Sequence, residues 1–564
     1  MTAIQIGRGA VAEISLGAVA DRKTAVDVWF AEPGGRRLRV PAFASGGQWK
    51  VRYSSFRTGT HRYEVQDSDE FDSAGATGTV EVVVQAEARG LVARGPIRVT
   101  ADQRHFEHAD GTPFCWLADT WWYGFAERLE FDEFRRFAAA RAEQGFSVIQ
   151  IVAGLYPESE PFAPAARSRS GWVWDRDSDA PNTEWFDEAD QRIAELIALD
   201  LVPCIVGAWG HYYSLMDVSQ LNRHWRELIA RWGAYPVVWC LAGEASLPAT
   251  MDLEDPALQP AITAASTAEA MTRVYGSEQA AISYQLKAVN DIARTVREVD
   301  AFGRPVTIHS VPRARPWEYL EDESVVDFWL LQTGHQGHET FRTALDQVHA
   351  ALDHQPVKPV INGEPSYEGI AGSSWQDLQR FMFWSHLLSG TAGHSYGAHG
   401  VWAFNDLSVP GLDSGLAPDW REAATLPGAR QLGIGRNLLL SLPWGEFEPH
   451  PEWVTPSASS GDRSLPYAAG QCDGPRVFYF PPNAYLRNVL SYTVVKLHDL
   501  GDHPWHAQLI DPSTGSTQHE FVIDPDGDGS ARLRSAPDGL STLPGWADWL
   551  LVLRPAEPRD DEDR

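Results

Sequence analysis

Two stretches, Pro236-Val-Val-Trp-Cys-Leu-Ala-Gly-Glu244 and Lys358-Pro-Val-Ile-Asn-Gly-Glu364-Pro365, decide the fold. Each is a short apolar run that passes through small residues and ends on a glutamate. Short apolar runs bounded by such turns read as strands buried on both faces. Working outward, the same signal recurs at Phe114–Asp119, Ser147–Val152, Val202–Ala208 and Val237–Ala242. It returns at Pro305–His309, Val325–Gln332, Pro359–Asn362 and Ala392–Tyr396. Between these runs lie amphipathic segments: Phe131–Gln144, Phe186–Asp200, Asn222–Trp232, Gln279–Asp300, Thr340–His354 and Ser374–Leu388. Eight strands alternating with helices predict an α/β fold, a (β/α)8 TIM barrel over residues 96–445. A doubly wound open sheet is the alternative, but Trp116-Leu-Ala-Asp-Thr-Trp-Trp122 stands where its Gly-rich dinucleotide turn would be.

The flanks differ in kind. Residues 1–95 carry short β-prone runs at Ala25–Phe30, Trp49–Tyr53, His61–Val65 and Gly78–Val84, which predict an Ig-like β-sandwich ending near Arg94-Gly-Pro96. Residues 446–556 return to this pattern at Arg476–Phe480, Tyr492–Leu497, His506–Ile510 and Trp549–Leu553, predicting a C-terminal β-sandwich. The acidic end, 557–564, is expected to be a disordered tail.

A formal charge of −29 argues against nucleic acid, which is bound by clustered Lys and Arg, and against anionic membranes. Nothing approaches a membrane-spanning run of about 20 apolar residues. The start shows no basic region followed by an apolar stretch, so the expected location is cytoplasmic. Cys115, Cys204 and Cys240 fall inside predicted strands and read as buried free thiols, with Cys472 isolated. The 23 Trp suit both a large core and flat sugar-binding surfaces.

A barrel's active face is built from residues at the C-terminal ends of its strands. Here those ends deliver Asp119, Trp121 and Trp122 from strand 1, then Trp209 and His211 with Tyr212 from strand 3. Strand 4 gives Glu244, strand 5 His309, strand 6 Gln332 and His335. Strand 7 gives Glu364 and Tyr367, and strand 8 gives His394, Tyr396 and Trp402. Carboxylates, imidazoles, an amide and aromatic rings converge, a set suited to the hydroxyls and apolar faces of a neutral sugar. Glycosidic cleavage needs one carboxylic acid to protonate the leaving oxygen and a second carboxylate across the anomeric carbon. Strands 4 and 7 lie on opposite sides of a barrel mouth, which makes Glu244 the acid/base candidate and Glu364 the nucleophile. Several of these residues have a second reading. Asp119 could contact substrate or anchor loop amides. The histidines could be scaffold residues, and Trp121, Trp122, Trp209 and Trp402 could be core or stacking platforms.

No metal is expected. There is neither a His-x-His by strand 1 nor a His-Glu-x-x-His helix, and Gly334-His-Gln-Gly-His338 offers two histidines without a third ligand. A Gly-x-Ser-x-Gly nucleophile elbow is absent from the strand–helix junctions, and no cofactor is called for.

The chain resembles the apiosidase-like glycoside hydrolases, whose barrel is related to clan GH-A. The matching stretches are Pro113-Phe-Cys-Trp-Leu-Ala-Asp-Thr-Trp-Trp122, Val238-Trp-Cys-Leu-Ala-Gly-Glu244, Leu331-Gln-Thr-Gly-His335, Lys358 to Glu368, and Gly393-His-Ser-Tyr-Gly397 continuing to Trp402. The resemblance implies hydrolysis of a terminal glycosidic linkage, with a furanoside of the apiose or arabinofuranose type as one candidate substrate and retention by analogy to the clan. It implies an oligosaccharide or polysaccharide as the partner. Relatives of the apiosidase type carry Asp in a Gly-Gly-Asp turn at the strand-4 position, and clan GH-A carries Asn before the Glu; this chain has Gly243-Glu244. The extra methylene carries the acid about 1.5 Å farther into the cleft, which leaves room for a different sugar or linkage, so the family name does not fix apiose as the substrate. A non-catalytic carbohydrate-binding barrel and a metal-dependent barrel hydrolase are the alternatives.

Overall fold

The computed structural model describes residues 4–19, 25–66, 75–85, 89–159, 161–247, 275–335, 337, 340–408, 417–482, 495–533 and 547–556. The expected tail, residues 492–494 of the expected Tyr492–Leu497 strand, and His338 lie outside them.

At the centre is an eight-stranded parallel sheet: β1 (Trp116–Trp121), β2 (Val148–Val152), β3 (Val202–Val206), β4 (Val238–Cys240), β5 (Val306–Thr307), β6 (Trp329–Gln332), β7 (Val360–Glu364) and β8 (Gly393–Tyr396). The order runs β5-β4-β3-β2-β1-β8-β7-β6, and a parallel bridge between His309 and Leu330 joins the two ends, closing the barrel. These strands are buried throughout, as they must be when both faces are covered. The TIM barrel is therefore the fold, with β-sheets at both ends of the chain.

Among the described residues seven long helices surround it: α1 (Phe131–Glu143), α2 (Thr183–Ala198), α3 (Val218–Trp232), α4 (Glu278–Val299), α5 (Thr340–Asp353), α6 (Gln376–Leu387) and α7 (Pro427–Leu440). Their starts follow from local chemistry. The Asn182 side chain accepts from the Glu184 and Trp185 amides at the head of α2, and Asp217 and Gln220 form a reciprocal capping box at α3. Between β5 and β6 only short 3-10 turns intervene. Helix α7 has no counterpart among the expected segments. Gly433 explains both its sequence disguise and its packing, since a Cβ there would overlap the Gln144 carbonyl at the end of α1.

The N-terminal region is a two-sheet sandwich, five strands against three, around Val28, Phe30, Val40, Val51, Tyr53 and Val80. It docks on α2 and α3 through buried Arg231, which reaches Asp187, Asp190 and Glu227 and donates to the Ala44 carbonyl. Three short strands, Ile97–Val99, Phe106–His108 and Pro113–Phe114, then plug the barrel floor. The expected run Phe114–Asp119 is thus split between this plug and β1. Phe106 packs edge-on against Phe328 with centroids 5.1 Å apart.

The C-terminal sheets number six and three strands. Alternation divides the larger one: Phe478, Leu551 and Leu553 face a local core, whereas Val477, Tyr479 and Val552 join the barrel's. A bidentate Arg380–Asp548 pair, 2.8 and 2.6 Å, ties it to α6. Cys115, Cys204 and Cys240 are buried free thiols and Cys472 is exposed, as expected. Among the described residues no helix is long and apolar enough to cross a membrane.

Candidate active site

The two glutamates reach the barrel mouth by different local devices. On β7, Asn362 faces outward and bonds His386 of α6. Strict alternation would turn Glu364 to that same outer side. The ladder with β6 slips there, Leu331 pairing with Asn362 but Gln332 with Glu364, so Gly363 is the extra residue. This bulge returns the Glu364 carboxyl to the lumen. Gly363 also has no room for a Cβ, which would strike Leu330. Below it, Gln150 of β2 crosses the lumen, donating to the Gly363 carbonyl at 2.9 Å and accepting from Ser395 at 2.6 Å. Glu244 leaves β4 with φ +45°, a left-handed conformation unusual for a residue with a side chain.

One imidazole spans the two. His309 Nδ1 accepts from the Glu244 amide at 3.3 Å, which leaves the proton on Nε2, and Nε2 lies 3.1 Å from Glu364 Oε2. His335 repeats the arrangement: Nδ1 accepts from the Tyr367 amide at 3.4 Å and Nε2 donates to Glu364 Oε1 at 2.9 Å. Oε1 of Glu364 thus accepts a hydrogen bond from His335, while Oε2 has His309 Nε2 in close contact outside hydrogen-bond geometry. Burial pushes this carboxyl up, but the contacts from His309 and His335 prevail and hold it at about 2. Glu244 moves the other way. Burial and the nearby Glu364 charge raise it, and His309, Gln332 and the Trp209 indole, whose Nε1 donates to Oε2 at 3.2 Å, do not offset them. One carboxyl is kept ionised and the other is biased toward the acid, the division of labour that glycosidic cleavage requires.

Around them stand the aromatic groups. Trp122 donates its indole N–H to Tyr367 Oη at 2.9 Å and packs edge-on to Trp209 and His309. Gln332 is buried beside Glu244, its Oε1 without a hydrogen-bond partner among the described residues. Trp402 is half-buried and its carbonyl accepts from the Tyr123 amide. The structure therefore brings together Glu244, Glu364, His309, His335, Gln332, Trp122, Trp209 and Tyr367, with Trp402 leaning on Tyr123.

Five expected site residues lie elsewhere, four of them because of strand parity. Asp119 and Trp121 alternate with Thr120 and Trp122 and point outward from β1. Asp119 is fully buried, receiving Arg141 Nε at 2.6 Å, the Trp121 indole at 2.8 Å and the Thr120 amide at 2.9 Å. It is an anchor, and Trp121, stacked on Phe137 at 4.6 Å, is core. His394 and Tyr396 likewise face outward from β8, while Ser395 points in. His394 packs on Phe383 and His386 of α6, and Tyr396 donates to buried Glu368 at 2.6 Å. Burial pushes Glu368 up to about 7, against the Tyr396 hydroxyl and Gly428 amide that favour its charge. His211 is the fifth. Its Nε2 donates to the Ser159 carbonyl at 2.9 Å, so it serves a loop and not a sugar. Burial lowers it to about 4, leaving it neutral.

Sequence reasoning missed Glu158, His399 and Gln150. Burial and the Glu364 charge raise Glu158, while burial and neighbouring His335 lower His399. Glu158 sits in an acidic, proline-rich loop with no periodicity to mark it. Among the described residues no cluster of three or more His, Cys, Asp or Glu is placed to hold a metal ion.

Comparison with known proteins agrees with this geometry. Solved structures of similar fold include a glycoside hydrolase (18% identity, TM-score 0.61, 83% of this chain and 99% of that one). Another is a family 5 glycoside hydrolase from Bacteroides vulgatus (19%, 0.61, 83% and 95%). A putative glycoside hydrolase from the same organism aligns over 98% of this chain and 100% of its own, at 15% identity and TM-score 0.62. None of the curated proteins compared with the chain matches it. The family described as "Apiosidase-like, catalytic domain" matches residues 100–446, more than half of the chain and the whole barrel. The chain belongs to the apiosidase-like glycoside hydrolases.

Proposed function

We propose that this glycoside hydrolase cleaves a neutral glycan with retention of configuration, Glu364 acting as nucleophile and Glu244 as acid/base, on a furanoside of the apiose or arabinofuranose type. The observation that carries the assignment is the opposite displacement of two carboxyls joined through His309. Glu364, ionised beside His309 and His335, attacks the anomeric carbon while Glu244 passes its proton to the leaving oxygen. The glycosyl ester so formed is opened by water, whose proton returns to Glu244, and Glu364 leaves as the carboxylate. Retention is proposed by analogy with clan GH-A, to which the barrel of the apiosidase-like family is related. Trp122 and Trp209 offer apolar faces to the ring, and Gln332 and Tyr367 offer polar groups to its hydroxyls. We further propose that the chain divides at residues 95 and 445, the two β-regions bracing the barrel.

The test is a screen of aryl glycosides and polysaccharides, with proton NMR of the first-formed anomer. Glu244→Gln and Glu364→Gln should each abolish turnover and leave the circular dichroism unchanged. Near-normal activity in either variant would sink the assignment, and an inverted first product would sink retention.

A further inference from the structure

The bulge that turns Glu364 into the lumen is held from both sides of the barrel wall. On the outer side the Asn362 amide donates to Thr333 Oγ1 at 3.1 Å and meets His386 Nδ1 at 3.3 Å. Along the strand edge the Thr333 amide donates to the Glu364 carbonyl at 3.1 Å. On the inner side the Gly363 carbonyl takes Gln150 Nε2 at 2.9 Å. Strands β1 and β8 lie between β2 and β7 in the sheet, so this last bond crosses the lumen and is no part of a ladder. Val148 and Val152, which share the inward face of β2 with Gln150, are the branched apolar residues that ordinarily fill a barrel. A glutamine between them is there for its amide.

That amide has one orientation. A carbonyl only accepts, so Gly363 requires Nε2, and Oε1 is left to take the Ser395 hydroxyl at 2.6 Å. Gln150 and Ser395 are both fully buried, where an unpaired polar atom is costly. What they hold is a peptide plane. The Gly363 carbonyl belongs to the same rigid unit as the Glu364 nitrogen and Cα. Gly363 has no side chain to restrict its own φ and ψ, and the β6 ladder slips at this step. The direction in which Glu364 leaves the strand is therefore set by what the carbonyl before it is bonded to.

Resting on the assignment of Glu364 as the nucleophile, we propose that Gln150, oriented by Ser395, is a positioning residue that aims the Glu364 carboxylate by holding the Gly363–Glu364 peptide plane. It acts through the backbone alone, so its loss reads in the chemical step and leaves substrate binding in place. A misplacement of about 1 Å at a reacting group costs on the order of a hundredfold in rate.

The experiment compares the wild type with Gln150→Met, which keeps the side chain's length without its amide, and with Ser395→Ala, which keeps the donor but frees it to turn. On a 4-nitrophenyl glycoside that the wild type cleaves, kcat should fall about tenfold or more in Gln150→Met and by a smaller factor in Ser395→Ala. KM should stay within about threefold in both. Crystal structures of the three proteins read the same effect without substrate: the 2.9 Å bond from His335 to Glu364 Oε1 should be lost in Gln150→Met. A Glu364 carboxyl still bonded to His335 in that variant overturns the proposal, as does an unchanged kcat or a loss confined to KM. If Gln150→Met does not fold, Ser395→Ala carries the test, and wild-type kcat together with an unmoved Glu364 in it overturns the proposal. If the wild type turns over no glycoside, the catalytic assignment fails separately, and the crystal structures alone decide whether Gln150 aims Glu364.

Discussion

The indole of Trp209 fills the space that a Cβ on Gly243 would occupy. The residue before the strand-4 glutamate is therefore glycine for a packing reason, and this is where the chain departs from the Asn expected of clan GH-A. The same indole donates to Glu244 Oε2, so packing at residue 243 and the acid at 244 are coupled. Gly243→Ala should displace Trp209, break that hydrogen bond and cost about 1–3 kcal/mol in overpacking. We expect kcat/KM to fall at least tenfold while far-UV circular dichroism is retained. A Gly243→Ala enzyme with wild-type kinetics would show that the indole does not position the acid.

The opposite displacements of the two carboxyls fix the shape of the pH profile. With the proposed roles, activity requires Glu364 ionised, which holds above about 2, and Glu244 protonated, which holds below a value raised from the ordinary 4.5. The kcat/KM profile should therefore show an alkaline limb from Glu244 and no acid limb above about pH 3. His309→Ala removes one of the two imidazoles beside Glu364, so that carboxyl should rise and an acid limb should enter the measurable range. An unmoved acid limb in that variant would mean that His309 does not hold Glu364 ionised.

The barrel was legible because eight apolar runs alternate with 3.6-periodic segments, a pattern few other folds share. Strand position was legible too, but not strand parity. Asp119 and Trp121 stand one residue from Thr120 and Trp122, and only the register decides which pair faces the lumen. On β1 and β8 the candidates Asp119, Trp121, His394 and Tyr396 proved to be the outward ones, since Arg141 and Glu368 supply buried partners that sequence spacing does not reveal. Glu364 escaped this trap only through the bulge at Gly363. Helix α7 was hidden by Gly433 and Gly435, which read as loop and serve close packing against Gln144 and Phe383.

Asp119 as an anchor makes a prediction that separates stability from catalysis. Asp119→Ala leaves the Arg141 guanidinium buried without its carboxylate and should cost about 3–5 kcal/mol. The folded fraction should keep its KM. The double variant Asp119→Leu with Arg141→Met removes both charges and should recover most of the loss. A raised KM in Asp119→Ala at full folding would restore a substrate contact.

Four buried histidines set the behaviour in acid. Burial lowers His211 and His224 to about 4 and His386 to about 3, and takes His394 well below its ordinary value, with the His386 neighbour acting in the same direction. In the unfolded chain each titrates near 6.5. Below that pH the unfolded state binds protons that the folded state refuses, so their contribution to stability is lost as pH falls. Each such group costs about 1.4 kcal/mol per pH unit from roughly 6.5 down to its folded value. His394 isolates the effect, because neither ring nitrogen has a hydrogen-bond partner among the described residues. In His394→Leu, urea unfolding between pH 6.5 and 4 should show a stability slope shallower than wild type by about 1.4 kcal/mol per unit. An unchanged slope would mean that His394 is protonated, or hydrated, inside the fold.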